Sequence, residues 1–283
     1  PSKNPVGISA AATEEAVFFV DGRPGDAERA LHCLDPLTGA ERWSRAVADG
    51  ASGEFFITYD RLFIADKAEG LTCLDISARG PAPVLWRAQT GCVTGAPFLV
   101  GDILLVSEAD PARLAALDAV NGARLWTQPL SSPPRTGPVF AADRAWVGLA
   151  DGVAGFGLVG EGGDAHVPCG PVTSRLVLNG SLMACTTERG EIELIDPEKA
   201  QVAMTIQGAV AGLPPVLTYD EVLYFTENDL RRCDLKTGQD SSTRWCLTAW
   251  MGRIVAPAVV VDSHLVFSTE RRGLICLKPE ADE

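Results

Sequence analysis

The sequence predicts an all-β fold: a seven-bladed β-propeller of four-stranded antiparallel blades, with the last blade left with three strands. Three observations predict it. First, one five-residue phrase recurs as Leu31-His-Cys-Leu-Asp35, Leu71-Thr-Cys-Leu-Asp75, Leu114-Ala-Ala-Leu-Asp118, Val153-Ala-Gly-Phe-Gly157, Ile192-Glu-Leu-Ile-Asp196, Leu230-Arg-Arg-Cys-Asp234 and Leu274-Ile-Cys-Leu-Lys278. A period of roughly 40 residues marks a stacked array in which no unit buries its own face alone. Second, the gaps between candidate strands are too short for crossover helices, so parallel pairing is excluded and meanders follow. Third, the repeat occurs seven times without a helical period between copies, which a Greek-key sandwich does not do.

Each repeat is read as four strands. A small-residue and proline step leads into the first, as at Gly95-Ala-Pro97, Gly137-Pro138, Gly170-Pro171 and Leu213-Pro-Pro215; proline suits a strand start, where no ladder donor is needed. The second is β-branched and aromatic, as in Val17-Phe-Phe-Val20, Ile103-Leu-Leu-Val106 and Val222-Leu-Tyr-Phe225. The recurring phrase is the third. The fourth carries a tryptophan: Trp43, Trp86, Trp126 or Trp245. Between the third and fourth, Asp35-Pro-Leu-Thr-Gly39, Asp118-Ala-Val-Asn-Gly122 and Asp234-Leu-Lys-Thr-Gly238 place glycine four residues after aspartate. Asp bonds to the backbone ahead of it and Gly takes positive φ, so these aspartates have a structural task. In the seventh repeat Ile254–Val261, Leu265–Ser268 and Leu274–Lys278 supply three strands, and a module of a larger protein is the expected setting for this single domain, residues 1–283.

The run of Ala-Leu-Asp, x-x-Thr-Gly and a following Trp resembles the Trp-docking repeat of the PQQ-like, quinoprotein-type propellers, best over Leu31 to Trp43, Leu71 to Trp86, Leu114 to Trp126 and Leu230 to Trp245. The resemblance implies that the Trp of one blade packs on the next. Repeat four has Ala165 and His166 at that place and repeat five has Met204, so looser seams are expected after both. Dehydrogenases of that family carry eight blades, adjacent cysteines against the cofactor and a calcium site of Glu, Asn and Asp. This chain has seven repeats and no adjacent cysteines. The resemblance therefore implies a non-enzymatic branch with no cofactor; the alternative is a small-ligand or PQQ-binding enzyme that uses the central funnel.

The chain has 283 residues, 46% hydrophobic and 22% charged, with a formal net charge of −13. That excess of acid speaks against a nucleic-acid backbone or an anionic membrane as partner. No apolar run approaches the roughly 18 residues that span a bilayer. Of the eight cysteines, Cys33, Cys73 and Cys276 share one repeat position, too far apart on stacked sheets to bridge, and read as small core residues. Cys233 and Cys246 are a candidate bridge across a hairpin. Free thiols favour a reducing compartment, so the cytoplasm is expected.

Chemistry-bearing patterns are sparse. His32, His166 and His264 fall in separate repeats without ligand spacing. Cys169 and Cys185 are a candidate close pair in repeat five, but no Cys-x-x-Cys supports zinc. No Gly-x-Ser-x-Gly elbow supports a hydrolase. One pattern exceeds what the fold requires: an acid ends the second strand in every repeat, at Asp21, Asp66, Glu108, Asp151, Glu188, Glu227 and Glu270. On one face these would steer a basic protein or peptide; in the alternative each caps a turn or pairs with a nearby arginine. Asp66, Glu108, Glu188, Glu227 and Glu270, with Trp250 as an aromatic anchor, are the candidate partner-binding residues, and no catalytic, cofactor or metal residue is predicted.

Overall fold

A computed structural model describes residues 6–21, 29–47, 54–66, 70–77, 80–158, 164–240, 245–246, 252–261 and 264–277. Blade one is β1 (Val6–Ala12), β2 (Val17–Asp21), β3 (Arg29–Leu34) and β4 (Glu41–Val47); blade two is β5 (Phe55–Ile57), β6 (Arg61–Asp66), β7 (Gly70–Asp75) and β8 (Val84–Ala88). Blade three is β9 (Phe98–Val100), β10 (Ile103–Ala109), β11 (Ala112–Asp118) and β12 (Arg124–Pro129), and blade four β13 (Val139–Ala141), β14 (Arg144–Gly148), β15 (Gly152–Gly157) and β16 (Ala165–Pro168). Blade five is β17 (Val177–Leu178), β18 (Met183–Thr186), β19 (Glu191–Asp196) and β20 (Gln201–Gln207); blade six is β21 (Val216–Leu217), β22 (Glu221–Phe225), β23 (Asp229–Asp234) and β24 (Trp245–Cys246). Blade seven is β25 (Ile254–Val261), β26 (His264–Thr269) and β27 (Gly273–Leu277). Six sheets are four-stranded meanders and the seventh has three strands, the blades of a seven-bladed β-propeller. No helix among the described residues is long and apolar enough to cross a membrane.

The chain divides into two compact units, Pro1–Phe140 and Ala141–Glu283. The first holds blades one to three; its core lies between blades. Trp43 of β4 shares a cluster with Leu62, Ile64 and Leu74 of blade two, and Trp86 of β8 shares one with Leu104, Val106 and Leu117 of blade three. Trp86 Nε1 also donates to the Ala119 carbonyl at 3.1 Å, and its ring covers Gly122, where an added Cβ would lie 2.5 Å from Cε3. The turn glycine is therefore needed twice, for its φ of 76° and for the ring above it. Burying each such side chain contributes about 1.5–3 kcal/mol.

In the second unit the same seam is built with a different residue. Met204 stands opposite Leu194 as Trp86 stands opposite Cys73, and its Cε lies 3.3 Å from where a Cβ on Gly238 would be. An unbranched thioether reaches the glycine that a Trp covers elsewhere, so the seam after blade five is filled, not loosened as the sequence led us to expect. In blade four the docking place, opposite Gly155, is held by Ala165. There the bulk comes from within the blade: Trp146 of β14 is fully buried, its Nε1 donates to the Ala141 carbonyl at 3.0 Å, and its ring lies on Gly155.

Three expectations need correction. Trp245 pairs with Leu230, the register place that Arg45 holds opposite Leu31, so it lies two residues beyond the docking position. The same register sets Cys246 opposite Asp229 while Cys233 faces Asp240, and Cys233 is a free thiol; no Cys233–Cys246 bridge forms. Cys33 and Cys73 are buried core, but Cys276 is exposed, because it lies on β27, which has no fourth-strand partner among the described residues.

The aspartate turns are hydrogen-bonded cages. Asp35 Oδ1 accepts from Leu37 N at 3.0 Å and from Thr38 N and Oγ1, each at 2.9 Å; Asp234 does the same with Lys236 and Thr237. Such donors, Arg42 first at Asp35, Ser77 at Asp75, Lys199 at Asp196 and Thr237 at Asp234, hold these four carboxyls below the ordinary value. A carboxyl whose folded pKa is depressed stabilises the fold above its unfolded pKa of about 3.9 and loses that contribution as pH falls. The melting temperature should therefore be level from pH 7 to about 5 and fall steadily below about pH 4; a profile flat to pH 2 would remove the turns from the stability balance. In blade five the turn puts Ala200 at a φ of 51°, where Gly39, Gly122 and Gly238 stand in other blades. Ala200→Gly should raise stability by about 1 kcal/mol in urea unfolding.

Candidate functional site

Strand register separates the seven acids into groups. Three equivalent backbone bonds align the blades: Ala109 N to Cys92 O at 2.7 Å, Glu188 N to Pro171 O at 3.0 Å and Glu270 N to Arg253 O at 2.9 Å. Glu108 therefore matches Thr187 and Thr269, one residue before Glu188 and Glu270. Successive residues of a strand point to opposite faces, so the offset turns Glu108 inward and leaves Glu188 and Glu270 outward.

Glu108 is fully enclosed. Its Oε2 accepts from Gly91 N at 2.9 Å and Arg113 Nε at 2.6 Å, and its Oε1 from Arg124 Nη1 at 2.9 Å. Two arginines thus bracket one carboxylate, a charge-assisted cluster that ties β11 and β12 to β10. Asp21 holds the corresponding place in blade one. It is buried, its Oδ1 accepts from Ala30 N at 2.7 Å, and its Oδ2 lies 3.3 Å from His32 Nε2. His32 in turn donates through Nδ1 to Glu41 at 2.7 Å and stacks on Phe19 with centroids 4.8 Å apart, and this contact holds the Glu41 carboxyl below its usual range. In blades six and seven the place belongs to threonines that close the same hairpin: Thr226 Oγ1 accepts from Asp229 N at 3.0 Å and Thr269 Oγ1 from Arg272 N at 3.3 Å. Asp66 ends β6 opposite Gly70, and its side chain lies outside what is described.

Glu188, Glu227 and Glu270 form the outward group, each exposed in the turn joining the second and third strands of blades five, six and seven. Glu270 Oε2 meets Arg253 N at 3.5 Å. Asp151 is exposed and pairs with His166 Nε2 at 3.5 Å. Trp250 lies outside the described residues. The structure thus groups Glu188, Glu227 and Glu270 by register in one unit and separates Glu108 from them. Sequence reading missed Arg113 and Arg124 as partners of Glu108, although Arg113 stands within one hairpin turn of it. Among the described residues no group of three or more His, Cys, Asp or Glu is placed to hold a metal ion.

Known proteins share this architecture. Residues 3–145 match the family described as the outer membrane protein assembly factor BamB. Among solved structures, BamB from Moraxella catarrhalis superposes with a TM-score of 0.74 at 18% identity, over 98% of this chain and 83% of that one. The computationally designed Ika8 protein superposes with a TM-score of 0.61 at 12% identity, over 98% of this chain and 97% of that one. No curated protein matches the chain. With half of its length inside the family match and its blades carrying the docking repeat, the chain belongs to the BamB family of PQQ-like β-propellers.

Proposed function

We propose that residues 1–283 act as a non-catalytic interaction module of a larger protein, docking a basic protein or peptide segment on the turns of blades five to seven. The observation that carries this reading is the recurrence of an exposed glutamate at one register place in three successive blades, Glu188, Glu227 and Glu270. Rigid strands on both sides hold those turns, so a partner meets a preset spacing of charge with little ordering cost. The family description, an assembly factor, supports an interaction role over catalysis. It names the outer membrane, so the cytoplasmic expectation has no support from the relatives, and free thiols do not carry it alone.

The test is binding of a lysine- and arginine-rich peptide to the immobilised chain at low and physiological salt. Glu188→Gln, Glu227→Gln and Glu270→Gln together should weaken capture about tenfold, mostly through a slower on-rate, and leave the melting temperature unchanged. Equal binding by the triple variant would sink the proposed face, and an absorbance or melting response to PQQ with calcium would favour the enzyme reading. Glu108→Gln should behave oppositely: it leaves two arginines facing a neutral buried amide, costing about 3 kcal/mol in denaturant unfolding, while the folded variant binds the peptide as before.

A further inference from the structure

In a four-stranded meander the first–second and third–fourth turns share one end, and the second–third turn lies at the other. In the first unit the shared end carries large apolar side chains in the open. Tyr59, in the first–second turn of blade two, is 88% exposed, and Val120, in the third–fourth turn of blade three, is 58% exposed. Hydrogen bonds set these turns side by side. Arg61 Nη1 of blade two donates to Ala119 O of blade three at 2.8 Å, Ala119 N donates to Asp102 O at 2.9 Å, and Ile76 N donates to Asp60 O at 2.8 Å. Each turn is also fixed from within: Thr58 Oγ1 accepts from Arg61 N at 3.1 Å, and Asp118 Oδ1 accepts from Val120 N at 2.7 Å.

The scaffold asks for neither side chain. The place of Tyr59, next after the threonine that closes the turn, holds Glu14 after Thr13 in blade one and Tyr219 after Thr218 in blade six. The place of Val120, two residues after the turn aspartate, holds Glu198 in blade five and Lys236 in blade six, and Asp196 and Asp234 accept from those backbone amides in the same way. Around Tyr59 and Val120 the charge is negative. Asp60 and Asp102 are exposed, and Asp75 and Asp118 begin the adjoining third–fourth turns. Arg61, the neighbouring cation, is engaged with Ala119 O, and its Nε lies 3.9 Å from Asp60 Oδ2.

We infer that this end of blades two and three is an interaction surface for a polypeptide segment in which a large apolar side chain is flanked by lysine or arginine. The apolar side chain packs on Tyr59 and Val120, and the flanking cations meet Asp60 and Asp102. A tyrosine on a fixed turn offers a wide contact at low entropic cost and is a frequent interface anchor. The carboxyls beside it select a cationic neighbour. The surface does not depend on the Glu188, Glu227 and Glu270 turns, and unlike the docking proposed there it requires an apolar contact.

Binding of a fluorescent peptide of lysines around a central phenylalanine to the full chain at physiological salt tests this, with the same peptide carrying serine for phenylalanine as its comparison. The phenylalanine peptide should bind about tenfold more tightly than the serine peptide. Tyr59→Ser with Val120→Lys should abolish that difference. Asp60→Asn with Asp102→Asn should weaken the phenylalanine peptide several-fold, more so at low salt. Tyr219→Ser, at the same turn place in blade six, should change nothing. These variants alter exposed side chains, and an unchanged melting temperature shows the fold intact. The surface is rejected if the two peptides bind alike or not at all, if Tyr59→Ser with Val120→Lys keeps the difference, if the two aspartate substitutions leave binding as before, or if Tyr219→Ser lowers it equally. Glu188→Gln, Glu227→Gln and Glu270→Gln together should keep the phenylalanine advantage; its loss there, with Tyr59 and Val120 dispensable, would assign the peptide to blades five to seven and reject this surface.

Discussion

The contact on which this propeller depends is a long side chain from the fourth strand of one blade resting on the turn glycine of the next. A lone meander is hydrophobic on both faces and has no interior of its own. Trp86 over Gly122 and Met204 over Gly238 give their two seams a large apolar surface and a defined spacing. The glycine's positive φ lets the turn close, and its missing Cβ admits the ring, so one residue meets a backbone and a packing requirement together. This explains why Asp, Gly and the docking residue recur as a set: the aspartate cage shapes the turn that presents the glycine.

Within a blade a second constraint works by exchange of volume. In blades one to five the residue pairs opposed across the second and third strands are Phe18 with Cys33, Phe63 with Cys73, Leu105 with Ala116, Trp146 with Gly155 and Ala184 with Leu194. In each a large member faces a small one, whereas blade six sets Leu223 against Arg232. Close packing fixes the sum more tightly than either member, so the repeat can lose its motif in blade four, where Gly155 replaces cysteine, and still fill its core through Trp146.

These two constraints account for what the sequence discloses. Blade number, strand order and the turn aspartates are legible because a local phrase repeats them, and each copy confirms the rest. The role of Met204 was not legible, since the pattern favours tryptophan while packing asks only for length and apolarity. The same holds for Trp245, which follows Asp234 at the spacing of Trp86 after Asp75 and yet pairs with Leu230 rather than at the docking place. The acid ring failed in part for a sharper reason. Glu108 and Glu188 stand one residue apart in register, and in a strand a single step separates enclosure from solvent. Counting from the nearest apolar run does not resolve one residue; only the backbone bonds do.

That one-step distinction also says where evolution of this chain has room to change. In blades one, six and seven the inward place closes a hairpin, Asp21 with a short carboxylate and Thr226 and Thr269 with a hydroxyl, while in blade three Glu108 with a longer carboxylate recruits Arg113 and Arg124. Its chemistry varies with its donors: a nearby backbone amide for Asp21, Thr226 and Thr269, and Gly91 N with two guanidinium groups for Glu108. The outward place is not called on to close the hairpin, yet it holds glutamate in blades five, six and seven. Hairpin closure thus explains the variety of the inward place and leaves the recurrence of glutamate at the outward one as a feature of the exposed turns.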